Sequence, residues 1–169
     1  QSPLPVCWLS LDALDQDPQR MIAHLIAAIS QTFPDFGRTC KPALESMPQD
    51  RLNLDALASL IVNDAFDTIS EHFLIVLDDY HLVEDNADIN YFINRFLLTV
   101  DENCHLVISS RRLLPLPDMP LLVARGQVSG LSFEELAFNS EEIRELYLQN
   151  HHITLSDREV EELADMTEG

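Results

Sequence analysis

Two adjacent carboxylates end the most hydrophobic short segment of the chain. Residues 73–77 read FLIVL, and Asp78 and Asp79 follow directly. A short apolar run of this kind, partly β-branched, is typical of a strand in a parallel sheet that helices cover on both faces. Mg²⁺ prefers oxygen ligands and usually takes one or two carboxylates together with water and phosphate. The pair therefore predicts a magnesium site, although a polar strand end that simply meets solvent would explain the same residues.

A second polar segment follows another predicted strand. Residues 105–108 read HLVI, and Ser109, Ser110, Arg111 and Arg112 come next. An arginine at such a position could stabilise negative charge that develops on a phosphate. The alternative is a solvated basic pair that offsets local acidity, and the residues alone leave both possibilities open.

Strands and helices alternate along the chain. Beside residues 73–77 and 105–108, a strand is predicted at 6–11, ending at Asp12, and a weaker one near 127–131. Alternation of this kind predicts an α/β fold with a parallel, doubly wound sheet. Ligands of such sheets bind beyond the carboxyl ends of the strands. We therefore expect Asp12, the acidic pair and the Ser-Ser-Arg segment to meet at one rim.

The helices are predicted from their caps and from apolar residues at helical spacing. Asp17 and Pro18 are typical of a helix start, and Asn53 could cap a second helix. A third apolar stripe runs from 89 to 97, and Ser140 and Ser156 are predicted caps of two further helices in the tail. Residues 33–51 contain several prolines and are predicted to form a loop.

Composition limits the possible partners. The 169 residues suit one domain, and the net charge is −19 with Lys41 as the sole lysine. Such a surface would repel a phosphate backbone or an anionic membrane, and no apolar run approaches the roughly 20 residues of a membrane helix. Cys7, Cys40 and Cys104 form no CxxC motif. They are typical of reduced thiols in a cytoplasmic protein.

Several familiar sites are absent from the sequence. None of the four glycines begins or completes GxxxxGK[ST], so the chain has no P-loop to hold phosphates. Receiver domains also carry an acidic pair, but they need a later lysine, and none follows Lys41. A two-metal phosphoesterase would need a second carboxylate or histidine cluster. His151 and His152 lack partners at metal-ligand spacing and suggest a surface turn.

Five segments in order resemble a known family. They are VCWLSLDALDQDPQRMIAHLIAAI, FLIVLDDYHLV, HLVISSRR, ARGQVSGLSFEELAFNSEEI and LADMTEG. Together they resemble the nucleotide-binding module of MalT-like, LuxR-type transcriptional regulators. These regulators belong to the STAND class of signal-transduction ATPases, which are P-loop NTPases related to the NB-ARC proteins. The resemblance covers nearly the whole chain.

The resemblance implies roles for individual residues. FLIVLDD would be the Walker B strand, with Asp78 holding Mg²⁺ through water and Asp79 orienting or polarising the attacking water. The segment after residues 105–108 would be sensor 1, in which Ser110 lies at the cofactor and Arg111 reaches the γ-phosphate of ATP. ATP exchange and inducer binding would then switch an intact regulator from a closed monomer to an assembled, DNA-binding form.

The missing P-loop predicts a fragment. We expect residues 1–138 to form a three-layer, P-loop NTPase-like core that lacks its first strand and its phosphate cradle, and residues 139–169 to begin a helical subdomain. The chain alone should then neither bind nor hydrolyse ATP, and the inducer and DNA would bind regions outside it. The gap in the sheet should be closed by direct strand pairing or by self-association at the exposed edge. A different function also fits, an acidic protein-interaction module without nucleotide chemistry.

Overall fold

The computed structural model describes residues 4–48 and 51–167. Its sheet has three parallel strands, β1 (Val6–Ser10), β2 (Phe73–Asp78) and β3 (Cys104–Ile108), in the order β1-β2-β3. All three were predicted from the sequence, and the α/β fold with a parallel sheet is confirmed. Because the strands run in the same direction, their carboxyl ends share one edge of the sheet.

Helices connect and follow the strands. Three of them, α1, α2 and α3, lie between β1 and β2 in the chain, and α4 lies between β2 and β3. Four shorter or later helices, α5 to α8, follow β3. No helix in the described part of the chain is long and apolar enough to cross a membrane. The bounds are α1 Pro18–Thr32, α2 Cys40–Ser46, α3 Leu54–Thr68, α4 Ala87–Thr99, α5 Met119–Ala124, α6 Phe133–Leu136, α7 Ser140–His151 and α8 Asp157–Thr167.

The caps of α1 and α3 are those that the sequence predicts. The Asp17 carboxylate accepts a hydrogen bond from the Arg20 backbone N–H at 3.0 Å, and Pro18 is the first residue of α1. The Asn53 side chain accepts from the Ala56 backbone N–H at 3.1 Å. Each cap satisfies one of the N–H groups that a helix start leaves without a partner inside the helix.

One face of the sheet forms the core. Alternate residues of the strands, among them Cys7, Leu9, Ile75 and Leu77, belong to one buried cluster with the apolar faces of α1, α3 and α4. Two crossovers that step in the same direction across a sheet place their helices on the same face when both are right-handed. This rule explains why the buried residues of all three strands point the same way.

The opposite face of the sheet is largely open. Trp8 is 59% exposed and Val107 is 47% exposed, and Val6 on the edge strand is also exposed. Strand β1 accordingly alternates between exposed and buried residues. The expectation of helices on both faces therefore holds for only one face of the described sheet. We call this second surface the open face and define it by Val6, Trp8, Ser10, Leu74, Val76, Asp78, His105 and Val107, of which Val76 on the central strand is buried.

The chain divides into two compact units, Gln1–Leu122 and Val123–Gly169. The first unit contains the sheet and its helices. In the second unit α7 packs on α8, and Arg144 forms an ion pair with Asp157 at 2.5 Å. The predicted boundary between residues 138 and 139 is not tested by this division and stays a prediction.

The prediction of a loop over residues 33–51 was wrong in part, because α2 forms within it. Its Pro42 lies in the first turn, where a proline removes no intrahelical hydrogen bond. The start of α2 is held by a residue of another helix: the Asp64 carboxylate of α3 accepts from the backbone N–H groups of Thr39 at 3.0 Å and Cys40 at 2.8 Å. A cap supplied from a distant segment leaves no local pattern in the sequence.

Two expectations about the later part of the chain were also wrong, and one of the two alternatives in a third is not observed. Residues 127–131 form no strand; they are irregular and mostly exposed, because a segment with only Val128 and Leu131 as large apolar residues cannot bury a face. No described strand other than β2 pairs with β3, so direct pairing does not close the expected gap, and association through this edge stays a prediction. Asn139, not Ser140, caps α7 by accepting from the backbone N–H groups of Glu141 and Glu142.

Candidate functional site at the carboxyl ends of the strands

The last residue of β2, Asp78, lies between two serines of neighbouring strands. Ser10 of β1 is its register partner on one side. On the other side Ser109, which directly follows β3, donates a hydrogen bond from Oγ to Asp78 Oδ1 at 2.5 Å. The Asp78 carboxylate is partly exposed. The Asp78 carboxylate is thus accessible to solvent and lies beside two hydroxyl groups. Oxygen atoms of this kind suit a water-mediated contact to Mg²⁺.

Asp79 turns the chain sharply after β2. Its backbone is left-handed, with φ 58° and ψ 38°, a conformation in which aspartate is more common than most residues. The turn directs the Asp79 backbone N–H to Ser109 Oγ at 3.0 Å and Asp78 Oδ1 at 3.1 Å. The Asp79 carboxylate is 54% exposed, with His81 Nδ1 3.8 Å from its Oδ1. The two carboxylates therefore belong to one rim but have different surroundings.

Ser110 faces a different partner from Ser109. Its hydroxyl donates to Glu84 Oε2 at 3.2 Å, whereas Ser109 contacts Asp78. Successive residues leaving a strand point to opposite faces, which explains the difference. The sequence assigned Ser110 to the cofactor, and the structure brings Ser109, not Ser110, into contact with the acidic pair.

Arg111 is exposed, and within the part of the chain that the structure describes it forms no hydrogen bond or ion pair. Its neighbour Arg112 instead lies with Nε 3.1 Å from Glu84 Oε1. Of the two arginines, Arg111 is thus the one whose guanidinium has no partner in the described structure and is available to bind an anion.

Glu84 is a residue that the sequence analysis missed. Its side chain is only 4% exposed, and its backbone carbonyl accepts from the Asn90 side chain at 2.6 Å. Asn90 Oδ1 in turn accepts from the Tyr80 hydroxyl at 2.8 Å. Burial, followed by the charge of Glu84, raises the pKa of Tyr80 well above its ordinary value, so this hydroxyl remains a neutral donor. The network joins the turn after β2 to α4 and to the end of β3.

Asp12, the third strand-end acid, is engaged locally. Its Oδ1 accepts from the backbone N–H groups of Leu14 at 2.7 Å and Asp15 at 3.2 Å. Its Oδ2 pairs with Arg20 at 3.1 Å. These contacts give Asp12 a structural role as the cap of the short 3₁₀ helix Ala13–Gln16. They leave the acidic pair and Ser109 as the chemically available part of the rim.

Within residues 4–48 and 51–167, no group of three or more His, Cys, Asp or Glu side chains is arranged to hold a metal ion. A Mg²⁺ ion at the rim would therefore rely on Asp78, water and oxygen atoms of a bound phosphate, which is the usual arrangement for this ion. The three cysteines are buried and unpaired. Burial raises the pKa of Cys40 and of Cys104 to about 12, so these thiols stay protonated.

Comparison with known proteins gives relatives for almost the whole chain. No protein-family model matches it. Over 162 residues, 96% of its length, the chain is 31% identical to the HTH-type transcriptional regulator MalT of Yersinia enterocolitica. The chain is similar to a segment of MalT. The MalT proteins of Yersinia pestis and Yersinia pseudotuberculosis are 32% identical over the same length. The chain spans 17% of these relatives, and the similarity supports a relationship to MalT-like transcriptional regulators.

Proposed function

We propose that the chain is part of the ATP-binding switch module of a MalT-like, LuxR-type transcriptional activator of the STAND class. The observation that carries the proposal is the similarity to MalT over 96% of the chain. The parallel sheet supports it, because the FLIVLDD segment ends at the edge where ligands of such sheets bind. Such a regulator would act in the cytoplasm and bind its inducer and DNA through other regions.

In this proposal Asp78 contacts Mg²⁺ through water and Asp79 orients the water that attacks ATP. Mg²⁺, when bound, neutralises charge on the phosphates. Asp78 is held in place by Ser109, while the Asp79 carboxylate is exposed and accepts no hydrogen bond from the described residues. Arg111, which has no partner among them, is available to reach the γ-phosphate.

The sheet also supports a module whose remaining parts come from other residues. The second edge of β3 is unpaired among the described strands, and the open face carries exposed apolar side chains such as Trp8 and Val107. Parallel sheets are almost always covered on both faces. We therefore place the missing strand, helix and phosphate cradle of the module next to β3 and on the open face.

Calorimetry with MgATP tests this proposal on the chain itself. In a P-loop, backbone amides and a lysine make most of the contacts that bind the β- and γ-phosphates of ATP. The sequence contains no such motif. We expect no micromolar binding of MgATP. A micromolar affinity would show that the P-loop is dispensable and would contradict the proposal.

Substitution in an intact regulator that contains this segment tests the residue roles. Asp78→Asn and Asp79→Asn should abolish ATP hydrolysis, because one removes the metal contact and the other the water-orienting carboxylate. Asp85→Asn is the matched control, since Asp85 is an exposed acid of the same loop without a partner in the described structure. Unchanged hydrolysis in the first two variants would contradict the roles.

The open face favours a second candidate, a protein-interaction module in which the acidic pair has no chemistry. Its apolar residues and the free edge of β3 could join a partner or a second copy of the chain. Asp78→Asn separates the candidates. Lost hydrolysis with intact assembly supports the switch module, whereas normal hydrolysis with altered assembly supports the interaction module.

A further inference from the structure

Two histidines lie close together at the amino ends of β2 and β3, at the end of the sheet opposite the acidic pair. His72 directly precedes β2, and His105 is the second residue of β3. His72 Nδ1 lies 3.1 Å from His105 Nε2, and the ring planes are within 15° of each other. The residues are 33 positions apart in the sequence, so only the fold brings them together.

The register of the strands explains why the side chains share a face. His105 is the register partner of Leu74, and parallel partners point to the same side of a sheet. His72 lies two residues before Leu74, so alternation places it on that side as well. This side is the open face. Both imidazoles are exposed and can rotate without displacing core residues.

The backbones beneath the two rings are held together. The Asn103 side chain donates to the carbonyl oxygens of Ile69 at 3.0 Å and Glu71 at 3.2 Å, and the Phe73 N–H donates to the Asn103 carbonyl at 3.0 Å. These three hydrogen bonds connect the turn before β2 to the turn before β3. The two imidazoles are thus presented from a fixed base, which lowers the entropic cost of binding one ligand with both.

In the structure the facing nitrogens make a ring-to-ring hydrogen bond, in which a neutral imidazole can donate with one nitrogen and accept with the other. If each ring carries its hydrogen on the nitrogen that faces away from the pair, both facing nitrogens present a lone pair. A rotation of the exposed rings then turns both lone pairs towards one point. The move of the hydrogen to the outer nitrogen and the rotation of the rings together require no net gain or loss of protons.

We propose that His72 and His105 bind one divalent transition-metal ion of the Ni²⁺ and Cu²⁺ type. If the rotation keeps the two nitrogens near their observed spacing of 3.1 Å, metal–nitrogen bonds of about 2.1 Å give an angle of roughly 95° at the metal. That angle fits the right-angle positions of square or octahedral coordination better than a tetrahedral site. Water occupies the remaining positions, and the net charge of −19 favours a cation over an anion.

A closed structural zinc site does not fit the same surroundings. Such sites use four protein ligands, and no third ligand converges on the pair within the described residues. Cys104 is next to His105 in sequence, but it belongs to the buried face of β3. The pair is therefore an open, two-imidazole site, independent of the function proposed for the acidic rim.

Calorimetric titration of the chain with NiCl₂ at neutral pH tests the site. We expect one strong site per chain, and His72→Gln and His105→Gln should each weaken it roughly tenfold or more, because a single imidazole no longer chelates. The double substitution His151→Gln with His152→Gln is the matched control, since it removes two adjacent exposed histidines elsewhere and should leave the affinity unchanged. An affinity unaffected by His72→Gln or His105→Gln, or lost in the control, would overturn the proposal.

Spectroscopy gives an independent result on the same proteins. With Cu²⁺ as the probe, electron paramagnetic resonance should show two coordinated nitrogens in the native chain and one in either single variant. Circular dichroism of the variants checks that these exposed substitutions preserve the fold. A spectrum in which the nitrogen number does not change would again overturn the assignment.

Discussion

Ser109 Oγ joins both residues of the acidic pair to the end of β3. It donates to Asp78 Oδ1 at 2.5 Å and accepts from the Asp79 backbone N–H at 3.0 Å. The next hydroxyl along the chain, on Ser110, instead donates to the buried carboxylate of Glu84 at 3.2 Å. Two adjacent serines therefore support two separate carboxylate groups, one partly exposed and one buried.

The serines should differ in their contribution to stability. Ser109→Ala removes hydrogen bonds at an exposed rim, and we expect a loss of about 1 kcal/mol in the free energy of unfolding. Ser110→Ala leaves buried Glu84 with one donor fewer, and we expect a larger loss of about 1–3 kcal/mol. Urea denaturation measures both. A loss for Ser110→Ala that is no larger than that for Ser109→Ala would contradict the described network.

Asp64 should be needed for α2. Asp64→Ala leaves the backbone N–H groups of Thr39 and Cys40 without their acceptor, and we expect a loss of about 2–3 kcal/mol in unfolding free energy. Asp64→Asn keeps an acceptor oxygen and should cost less. Equal losses in the two variants would show that charge, and not the cap, is what matters at this position.

The same carboxylate predicts a dependence of stability on pH. Burial raises the pKa of Asp64, but hydrogen bonds from Cys40 and Thr39 outweigh burial and lower the pKa below its ordinary value. A lowered pKa in the folded state stabilises the fold above the unfolded-state pKa of about 3.9, and this stabilisation is lost as the pH falls through the folded-state pKa. The unfolding free energy of the native chain should therefore fall more steeply than that of Asp64→Asn below about pH 4. Parallel curves would contradict this prediction.

The left-handed backbone of Asp79 predicts an order of stability among its variants. Gly adopts φ 58° without strain and Asn tolerates it, whereas Ala meets a penalty of about 1 kcal/mol. Thermal unfolding should rank Asp79→Gly and Asp79→Asn near the native chain and Asp79→Ala below it. Because Asp79→Asn keeps the fold while removing the charge, it is the variant of choice for testing the proposed chemistry. Equal stability of the Ala and Gly variants would show that the turn relaxes.

Local patterns predicted the strands and most of the longer helices. Residues 73–77 are apolar enough to be recognised as a strand, and Asp17 and Asn53 satisfy helix starts within a few residues of themselves. The start of α2 could not be predicted in this way, because its acceptor, Asp64, lies 24 residues after Cys40 in the chain. Non-local contacts of this kind are visible only after the helices pack.

The same distinction applies to the candidate site. That β2 and β3 end at one rim follows from their parallel direction, which the alternation of elements predicted. Which serine contacts Asp78 depends on the face to which residue 109 points, and a shift of one residue in the strand reverses that face. Glu84 could not be found because its partners, Ser110 and Arg112, come from another strand end.

One-sided burial of the sheet predicts unequal losses of stability on substitution at two adjacent residues of β1. Leu9 is buried in the core and Trp8 is 59% exposed on the open face. Leu9→Ala should therefore lower the unfolding free energy by about 2–4 kcal/mol through loss of buried contacts and creation of a cavity. Trp8→Ala should cost less than Leu9→Ala, although it removes the larger side chain, because more than half of that side chain stays in contact with water. Urea denaturation followed by circular dichroism measures both variants without relying on the sole tryptophan of the chain. Comparable losses would mean that the open face is covered in solution, and acrylamide quenching of Trp8 fluorescence in the native chain would then be weak instead of strong.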